Sequence, residues 1–317
     1  MRFGAGCLMR EALSAFISAQ TNTPVDVVAM QRITVGHSRA MYRVDCSDSR
    51  RYVLRLEQGG VFGTSSSEEF GVMRALHEAG VPVASVRWME PTGSVLGFPF
   101  FVMDFVDGDE VADERNVDGA TTAEFIRVLH GVHTLDHQAL ALPFHGVPAD
   151  PGQATHLQIE RWAGYYRAAA PVPIALLDEA AAWLHLNAPA LEHLSVVHGD
   201  AGPGNFIHSG GQVVAITDWE FAHLGDPAED WVFCASMRGS RTMDRQGWAS
   251  AFGAVGVELS PSQWSYWEAF NLFKGACANR TCLTLFENGV NRAPNMAIIG
   301  TALHQVFLRR LTDLVQN

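Results

Sequence analysis

Apolar and polar positions follow two different rhythms along the 317-residue chain, and the rhythm changes near residue 105. Before that point short β-rich runs dominate: Gln31–Val35, Met41–Cys46 and Arg51–Leu56, with Ser47, Asp48 and Ser49 supplying turn chemistry between the last two. A helix is predicted next. Ser65, Ser66 or Ser67 serves as its N-cap, and Glu68 and Glu69 fall in its first turn, where they meet the positive end of the helix dipole. Phe70, Met73, Leu76 and His77 then recur at helical spacing, and Gly80 stops the run. Val81–Trp88 and Pro99–Phe105 read as two further strands. The first part is therefore β-β-β-α-β-β, a small antiparallel sheet with one long helix, led by a stretch in which Leu8, Ala12, Leu13, Phe16 and Ile17 share one helical face.

After Gly108 the helical period takes over, in Thr121–Leu135, Leu157–Ala169, Ile174–Ala188, Gln263–Leu285 and Met296–Leu314. One β island, Leu194 to Asp218, interrupts it. The fold class expected is α+β: a β-rich lobe over residues 1–105 and a larger helical lobe over 106–317.

Composition narrows the function classes. Hydrophobic residues make up 48% of the chain, enough for a real core and too many for a disordered chain. Twenty-two Lys and Arg against 34 Asp and Glu give a net charge of −12, and an acidic surface repels a phosphate backbone, so nucleic acid is not an expected partner. No run of about 18 apolar residues exists, so no membrane span is expected. The N-terminal stretch is broken by Arg10, Glu11 and Ser14 and lacks a cleavage-site pattern, which predicts a cytoplasmic protein. Five scattered cysteines, Cys7, Cys46, Cys234, Cys277 and Cys282, read as free thiols, mostly in the core.

The β island carries the chemistry. It reads His198-Gly199-Asp200, then Asn205, then a Gly210-Gly211 hairpin signal, then Asp218-Trp219-Glu220. In the simplest register Ser209 faces Gln212 and Asn205 faces Ile216, which makes Asn205 and Asp218 diagonal neighbours on one face, roughly 7–8 Å apart at Cα. A carboxylate and an amide oxygen at that spacing suit Mg²⁺ shared with phosphate oxygens. Asp200, on a Gly- and Pro-rich loop, is within reach of a substrate hydroxyl beside them. Each residue taken singly is an ordinary turn residue; the combination in one window is what points to a site.

These residues resemble the aminoglycoside phosphotransferase and choline kinase-like family, which is related to protein kinases. The likeness runs through His198-Gly199-Asp200, Asn205, Asp218-Trp219-Glu220, Gly225-Asp226-Pro227 and Asp230. Within the family the chain is similar to the branch that includes kinase-like domains fused to acyl-CoA dehydrogenases, through Tyr52–Arg55, Gly80–Val83, Leu96–Gly108 and Trp267–Phe273. The resemblance implies a protein kinase-like two-lobe fold. It implies Asp200 as the residue that orients the acceptor hydroxyl and takes its proton, and Asn205 and Asp218 as the metal ligands. It implies that Arg55 contacts the α/β-phosphates, that Glu69 pairs with Arg55, and that Gly36 and Ser38 lie at a phosphate-covering turn. Met103, Asp104 and Phe105 match the segment that receives adenine. His198 and Asp230 are expected to support the catalytic loop, Asp230 by accepting backbone amides.

The chain departs from the protein kinase pattern in three places. The strand cation is Arg55 rather than lysine, a fork rather than a point charge. The phosphate turn has the single glycine Gly36 before His37-Ser38-Arg39-Ala40, and so offers few free amides. The triplet is Asp-Trp-Glu, without the glycine that lets an activation segment flip. No Walker A motif is present.

Other signals compete. Gly36-His37-Ser38-Arg39-Ala40 resembles the nucleophile elbow of α/β-hydrolases, which requires a helix after the serine. His130 and His133 are spaced as metal ligands or as a surface face, the latter expected. Trp162, Tyr165 and Tyr166 line a cleft or form core. Gln263–Leu285 carries Trp264, Tyr266, Trp267, Phe270 and Phe273 with Glu268 as its carboxylate, which suits either a moderately hydrophobic substrate or plain core. The function expected is transfer of the γ-phosphate of ATP or GTP, with Mg²⁺, to a hydroxyl of a small molecule. A hydroxylated metabolite, hydroxy acid or thioester stands ahead of an aminoglycoside as acceptor. A nucleotide-binding module without catalysis and a Ser38 hydrolase are the alternatives, and oligomeric state is left open.

Overall fold

Two-residue alternation in the first hundred residues produces a five-stranded antiparallel sheet. The computed structural model describes residues 3–33, 40–57, 65–110, 118–144, 147–170, 172–291 and 293–315. Helix α1 (Phe3–Thr21) leads into β1 (Val27–Ile33), β2 (Ala40–Cys46) and β3 (Arg51–Leu56), then α2 (Ser66–Glu78), β4 (Val86–Glu90) and β5 (Phe100–Asp104). The strands lie in the order β1-β2-β3-β5-β4, so β3 is central.

The central strand is buried on both faces, and alternation assigns the faces. Tyr52, Leu54 and Leu56 pack with Phe100 and Val102 against Leu13 and Ile17 of α1. Those two α1 side chains are fully buried, worth about 1.5–3 kcal/mol each. Val53 and Arg55 point the other way, toward α2 and the rest of the protein. Arg55 stands between Met41 of β2 and Phe101 of β5 in the ladder. Helix α2 begins where expected, with Ser65 as N-cap accepting from the Ser67 amide. It ends at Gly80, whose φ of +82° suits glycine.

The remainder is mostly helical: α3 (Gly119–His133), α4 (Gln153–Ala169), α5 (Ala175–Leu186), α6 (Ala228–Phe233), α7 (Arg245–Gly253), α8 (Pro261–Glu287), α9 (Pro294–Ile298) and α10 (His304–Val315). The 27-residue α8 is its spine, opened by a capping box of Ser260 and Gln263 with Pro261 in the first turn. Its Trp264, Tyr266, Trp267, Phe270 and Phe273 are all buried in the larger core. Short strands complete the fold: β6 (Asp109–Glu110) with β8 (Phe206–Ser209) and β9 (Gln212–Ile216), and β7 (Ser195–Val197) with β10 (His223–Gly225). This is a protein kinase-like α+β architecture. No helix among the described residues is long and apolar enough to cross a membrane. Cys46, Cys234, Cys277 and Cys282 are buried free thiols, and burial pushes Cys46 up to about 11 and Cys282 to about 12.

The first strand, expected over Gln31–Val35, starts already at Val27, α6 and α7 were not predicted, and three further details differ from the sequence expectations. The strand expected over Val81–Trp88 starts only at Val86, because Val81, Val83 and Ala84 turn into the larger core and the Pro82 carbonyl accepts the Ile216 amide at 2.7 Å. The helix expected over Met296–Leu314 is interrupted by a π-helical turn, Ile299–Leu303. Gly300 meets α8 there so closely that a Cβ would lie 2.3 Å from Leu283 Cβ. In the β8–β9 hairpin Ser209 faces Gln212, but Phe206, not Asn205, faces Ile216. The register shifts between Ile207 and His208, so Val214 is an extra residue and the pair contains a β-bulge.

Gly108 ties the sheet to this hairpin. Its φ is +155°, and a Cβ would stand 2.6 Å from Ile207 Cγ2 and 2.8 Å from the His208 carbonyl. Gly108→Ala is expected to cost about 1–3 kcal/mol through overpacking. The check is chemical denaturation, with a lowered midpoint at unchanged slope.

Candidate active site

The loop after β7 is held from below by one buried carboxylate. Asp230, in the first turn of α6, accepts the amides of His198 at 2.7 Å and Gly199 at 2.8 Å, and its Oδ2 lies 2.9 Å from His133 Nε2. Burial opposes its charge, but the His133 contact, the nearby His198 and these amides prevail and hold it down at about 2. His198 Nε2 donates to the Thr217 carbonyl at 2.9 Å, which leaves Nδ1 to accept the Asp200 amide at 3.1 Å. Gly199 has φ +81° and packs where a Cβ would come within 2.7 Å of the Phe221 carbonyl. From above, Lys274 of α8 donates to the Gly199 carbonyl at 2.7 Å and to Glu229 at 2.6 Å, and His223 Nε2 lies 3.2 Å from Glu229.

Asp200 is thus placed at the edge of a cleft. Asn205 donates its amide nitrogen to both the Asp200 carbonyl and Asp200 Oδ2, each at 2.8 Å. Arg238 donates from Nε to Asp200 Oδ1 at 3.1 Å, and its Nη2 bonds Oδ2. Asp218 follows β9 in a left-handed conformation, φ +66° and ψ +59°, which is strained for a residue with a Cβ. With the bulge in β9 removing the simple alternation, this turn is what aims its carboxylate at Arg55.

Arg55 joins the sheet to the helical part. It lies 2.9 Å from Glu69 of α2, donates to Asp218 Oδ1 at 2.7 Å, and stands 3.8 Å from Glu220. Burial works against its charge, but Glu69, Asp218 and Glu220 together raise its pKa further above the ordinary arginine value. For Asp218 burial again opposes ionisation, and Arg55 outweighs it and holds the carboxyl below its usual range.

The cleft between sheet and helices has a volume of about 960 Å³. Arg55, Glu69, Asp200, Asn205 and Asp218 line its junction, and Met103, Asp104 and Phe105 line its sheet side. The Asp104 and Phe105 amides are already bonded, to the carbonyls of Ser85 and Arg51. The Asp104 carboxylate pairs with Arg87, and Phe105 lies under the guanidinium groups of Arg43 and Arg51, each 5.0 Å from its ring centre. Trp162, Phe221, Met237, Met296, Leu303 and Phe307 line the helical side. Gly36 and Ser38 lie outside the described residues.

The structure corrects one expectation and decides two open readings. The aromatic face of α8 is core; Lys274, Gly275, Ala278, Asn279 and Cys282 are the α8 residues that line the cleft. His133 is not on the surface but buried against Asp230. The hydrolase reading fails on context, since Ala40–Cys46, directly after Ser38 and Arg39, is a strand where an elbow needs a helix. Sequence reasoning missed Arg238, Lys274 and Glu229. For Lys274 a signal existed: it is the only lysine among the 22 Lys and Arg residues, and it stands inside an apolar helix. No spacing marks Arg238.

Known proteins share sequence or fold with the chain. Mouse acyl-CoA dehydrogenase family member 10 is 27% identical over 301 residues, covering 84% of this chain; the chain spans 27% of that protein's length. A crystal structure of a Ralstonia eutropha protein, for which aminoglycoside phosphotransferase is the proposed assignment, superposes with a TM-score of 0.71 at 24% identity over 96% of this chain and 98% of that one. A thermostable mutant of an aminoglycoside phosphotransferase, in ternary complex with ADP and hygromycin B, superposes with a TM-score of 0.64 at 14% identity over 96% and 98%. Residues 29–264 match the model of the phosphotransferase enzyme family. The chain belongs to the phosphotransferase enzyme family.

Proposed function

We propose that this chain transfers the γ-phosphoryl group of ATP to a hydroxyl of a metabolite with an apolar body, in a reaction that depends on Mg²⁺. The observation that carries this reading is the convergence of Asp200, Asn205, Asp218 and Arg55 at one end of the cleft. Phosphoryl transfer needs positioning and charge neutralisation more than covalent chemistry. Asp200 orients the acceptor hydroxyl and takes its proton. Arg55 grips the α/β-phosphates, with Glu69 fixing the guanidinium. Met103 to Phe105 border the adenine, and because the Asp104 and Phe105 amides are engaged, the base uses carbonyls of this segment and the next amide, that of Val106. The β-rich lobe, residues 1–105, carries the nucleotide, and 106–317 carries the acceptor.

The donor set fits Mg²⁺. Asn205 spends its amide nitrogen on Asp200, which leaves its amide oxygen for a cation, and Asp218 Oδ2 is not engaged by Arg55. Two protein oxygens suit a cation that keeps most of its waters and shares phosphate oxygens. No cluster of three or more His, Cys, Asp or Glu among the described residues offers an all-protein cage. Bound there, Mg²⁺ neutralises phosphate charge. The charge balance favours it: Glu69, Asp200, Asp218 and Glu220 face Arg55 and Arg238, an excess of carboxylate into which a polyphosphate does not go without a cation.

The acceptor side supports a hydroxy acid, its thioester or a similar metabolite over an aminoglycoside. Its walls are Trp162, Phe221, Met237, Met296, Leu303 and Phe307, which suit an acceptor with an apolar body. A coupled ADP-release screen over hydroxy acids, their CoA thioesters, sugars, amino alcohols, macrolides and aminoglycosides tests this. Turnover with kanamycin-type compounds alone overturns the acceptor class.

Two variants probe the roles. Asp200→Asn is expected to lower kcat at least about 10²-fold with ATP affinity retained; near-parental turnover sinks the assignment. Arg55→Lys keeps the charge but not the fork that meets Glu69 and Asp218 together, and is expected to raise the KM for ATP by about tenfold, the worth of one charge-assisted hydrogen bond. Steady-state kinetics in ATP reads the difference, and an unchanged KM removes Arg55 from phosphate binding.

A further inference from the structure

Resting on the phosphotransferase reading, we infer that Arg238 is a positioning residue that fixes Asp200 so that one lone pair, on Oδ1, is left for the acceptor hydroxyl. A carboxylate has about four lone-pair directions. At Asp200 three are taken: Arg238 Nε at Oδ1, and Arg238 Nη2 and Asn205 Nδ2 at Oδ2. The remaining direction on Oδ1 is where the acceptor O–H binds. In the transfer its proton passes to Oδ1, the acceptor oxygen bonds the γ-phosphorus, and the bond from that phosphorus to the β–γ bridging oxygen breaks to release ADP.

Independent features of the fold deliver this arginine. Arg238 ends the π-helical turn Cys234–Arg238 that follows α6, and such turns carry one extra residue and re-aim the side chains after them. The turn is closed by the Gly239 amide on the Cys234 carbonyl at 2.6 Å. Gly239 itself is pinned under Trp248, whose Nε1 donates to its carbonyl at 3.0 Å. On the opposite side Gly202 and Gly204, both at positive φ, make room for the side chain. A Cβ at Gly202 would lie 2.7 Å from Arg238 Cβ, and one at Gly204 would lie 3.0 Å from Nη1. The Gly202-Pro203-Gly204 loop between Asp200 and Asn205 is thus moulded around Arg238. A bidentate guanidinium fixes the carboxylate plane in a way no single donor does. It also leaves a positive charge beside Asp200 where phosphate oxygens arrive.

The test compares the full-length parent with Arg238→Ala, Arg238→Lys, Asp200→Asn and the Arg238→Ala/Asp200→Asn double variant. The probe is ADP release from ATP and Mg²⁺ with water as acceptor. Arg238→Ala is expected to lose at least about tenfold in kcat with the KM for ATP within about twofold, because the contact acts through the base. Arg238→Lys restores part of that loss, as a charge without the fork. The double variant is expected to be no slower than Asp200→Asn alone, the non-additivity of groups that act as a unit. Multiplying losses in the double variant overturn the inference, as does a raised KM with unchanged kcat, which assigns Arg238 to nucleotide binding. If Asp200→Asn abolishes turnover while Arg238→Ala matches the parent, the Arg238 role falls and the phosphotransferase reading stands. Parental turnover in Asp200→Asn overturns both.

Discussion

A single buried guanidinium decides how the two parts of this protein meet. Arg55 leaves the central strand on the face away from α1 and finds Glu69, Asp218 and Glu220 around it. An arginine this deep is tolerated only because its partners outweigh the loss of hydration, and removing one side of such a cluster costs about 3–5 kcal/mol. The three carboxylates come from α2 and from the turn after β9, so one side chain sets the distance between sheet, helix and hairpin. The same cluster borders the cleft, so the contact that joins sheet, helix and hairpin also lines it.

The loop after β7 is held from the other direction. Asp230, His133 and His198 hold its backbone from beneath, and Lys274 holds it from α8, anchored by Glu229 of α6. All five are buried, and each engages a backbone group or another member of the set. Asp200 is left at the cleft edge with its orientation settled by Asn205 and Arg238. Preorganisation of this kind suits phosphoryl transfer, where the protein supplies placement and charge.

Much of this was legible in the chain. Strands β2 and β3, the Ser65 cap, the Gly80 stop and the Ser209–Gln212 end of the hairpin follow from local rules of alternation, capping and turn chemistry. Asp200, Asn205 and Asp218 stood out because they crowd one short window. What local rules do not carry was misread or missed. The bulge at Val214 depends on tertiary packing, so the diagonal pairing argued for Asn205 and Asp218 was replaced by a strained turn at Asp218. Arg238 reaches Asp200 across 38 positions, and His133 reaches Asp230 across 97, distances at which no periodicity operates. The aromatic face of α8 was open to two readings because burial in a core and burial against a ligand leave the same apolar pattern.

The central claim is that this charge-laden junction takes a nucleotide only together with a divalent cation held by Asn205 and Asp218. Calorimetric titration of ATP into the protein with and without Mg²⁺, repeated on Asp218→Asn, tests it most directly. Binding at least about tenfold tighter with Mg²⁺ in the parent, and loss of that gain in the variant, is the result expected of a carboxylate ligand. Equal affinity with and without Mg²⁺ in the parent would contradict it.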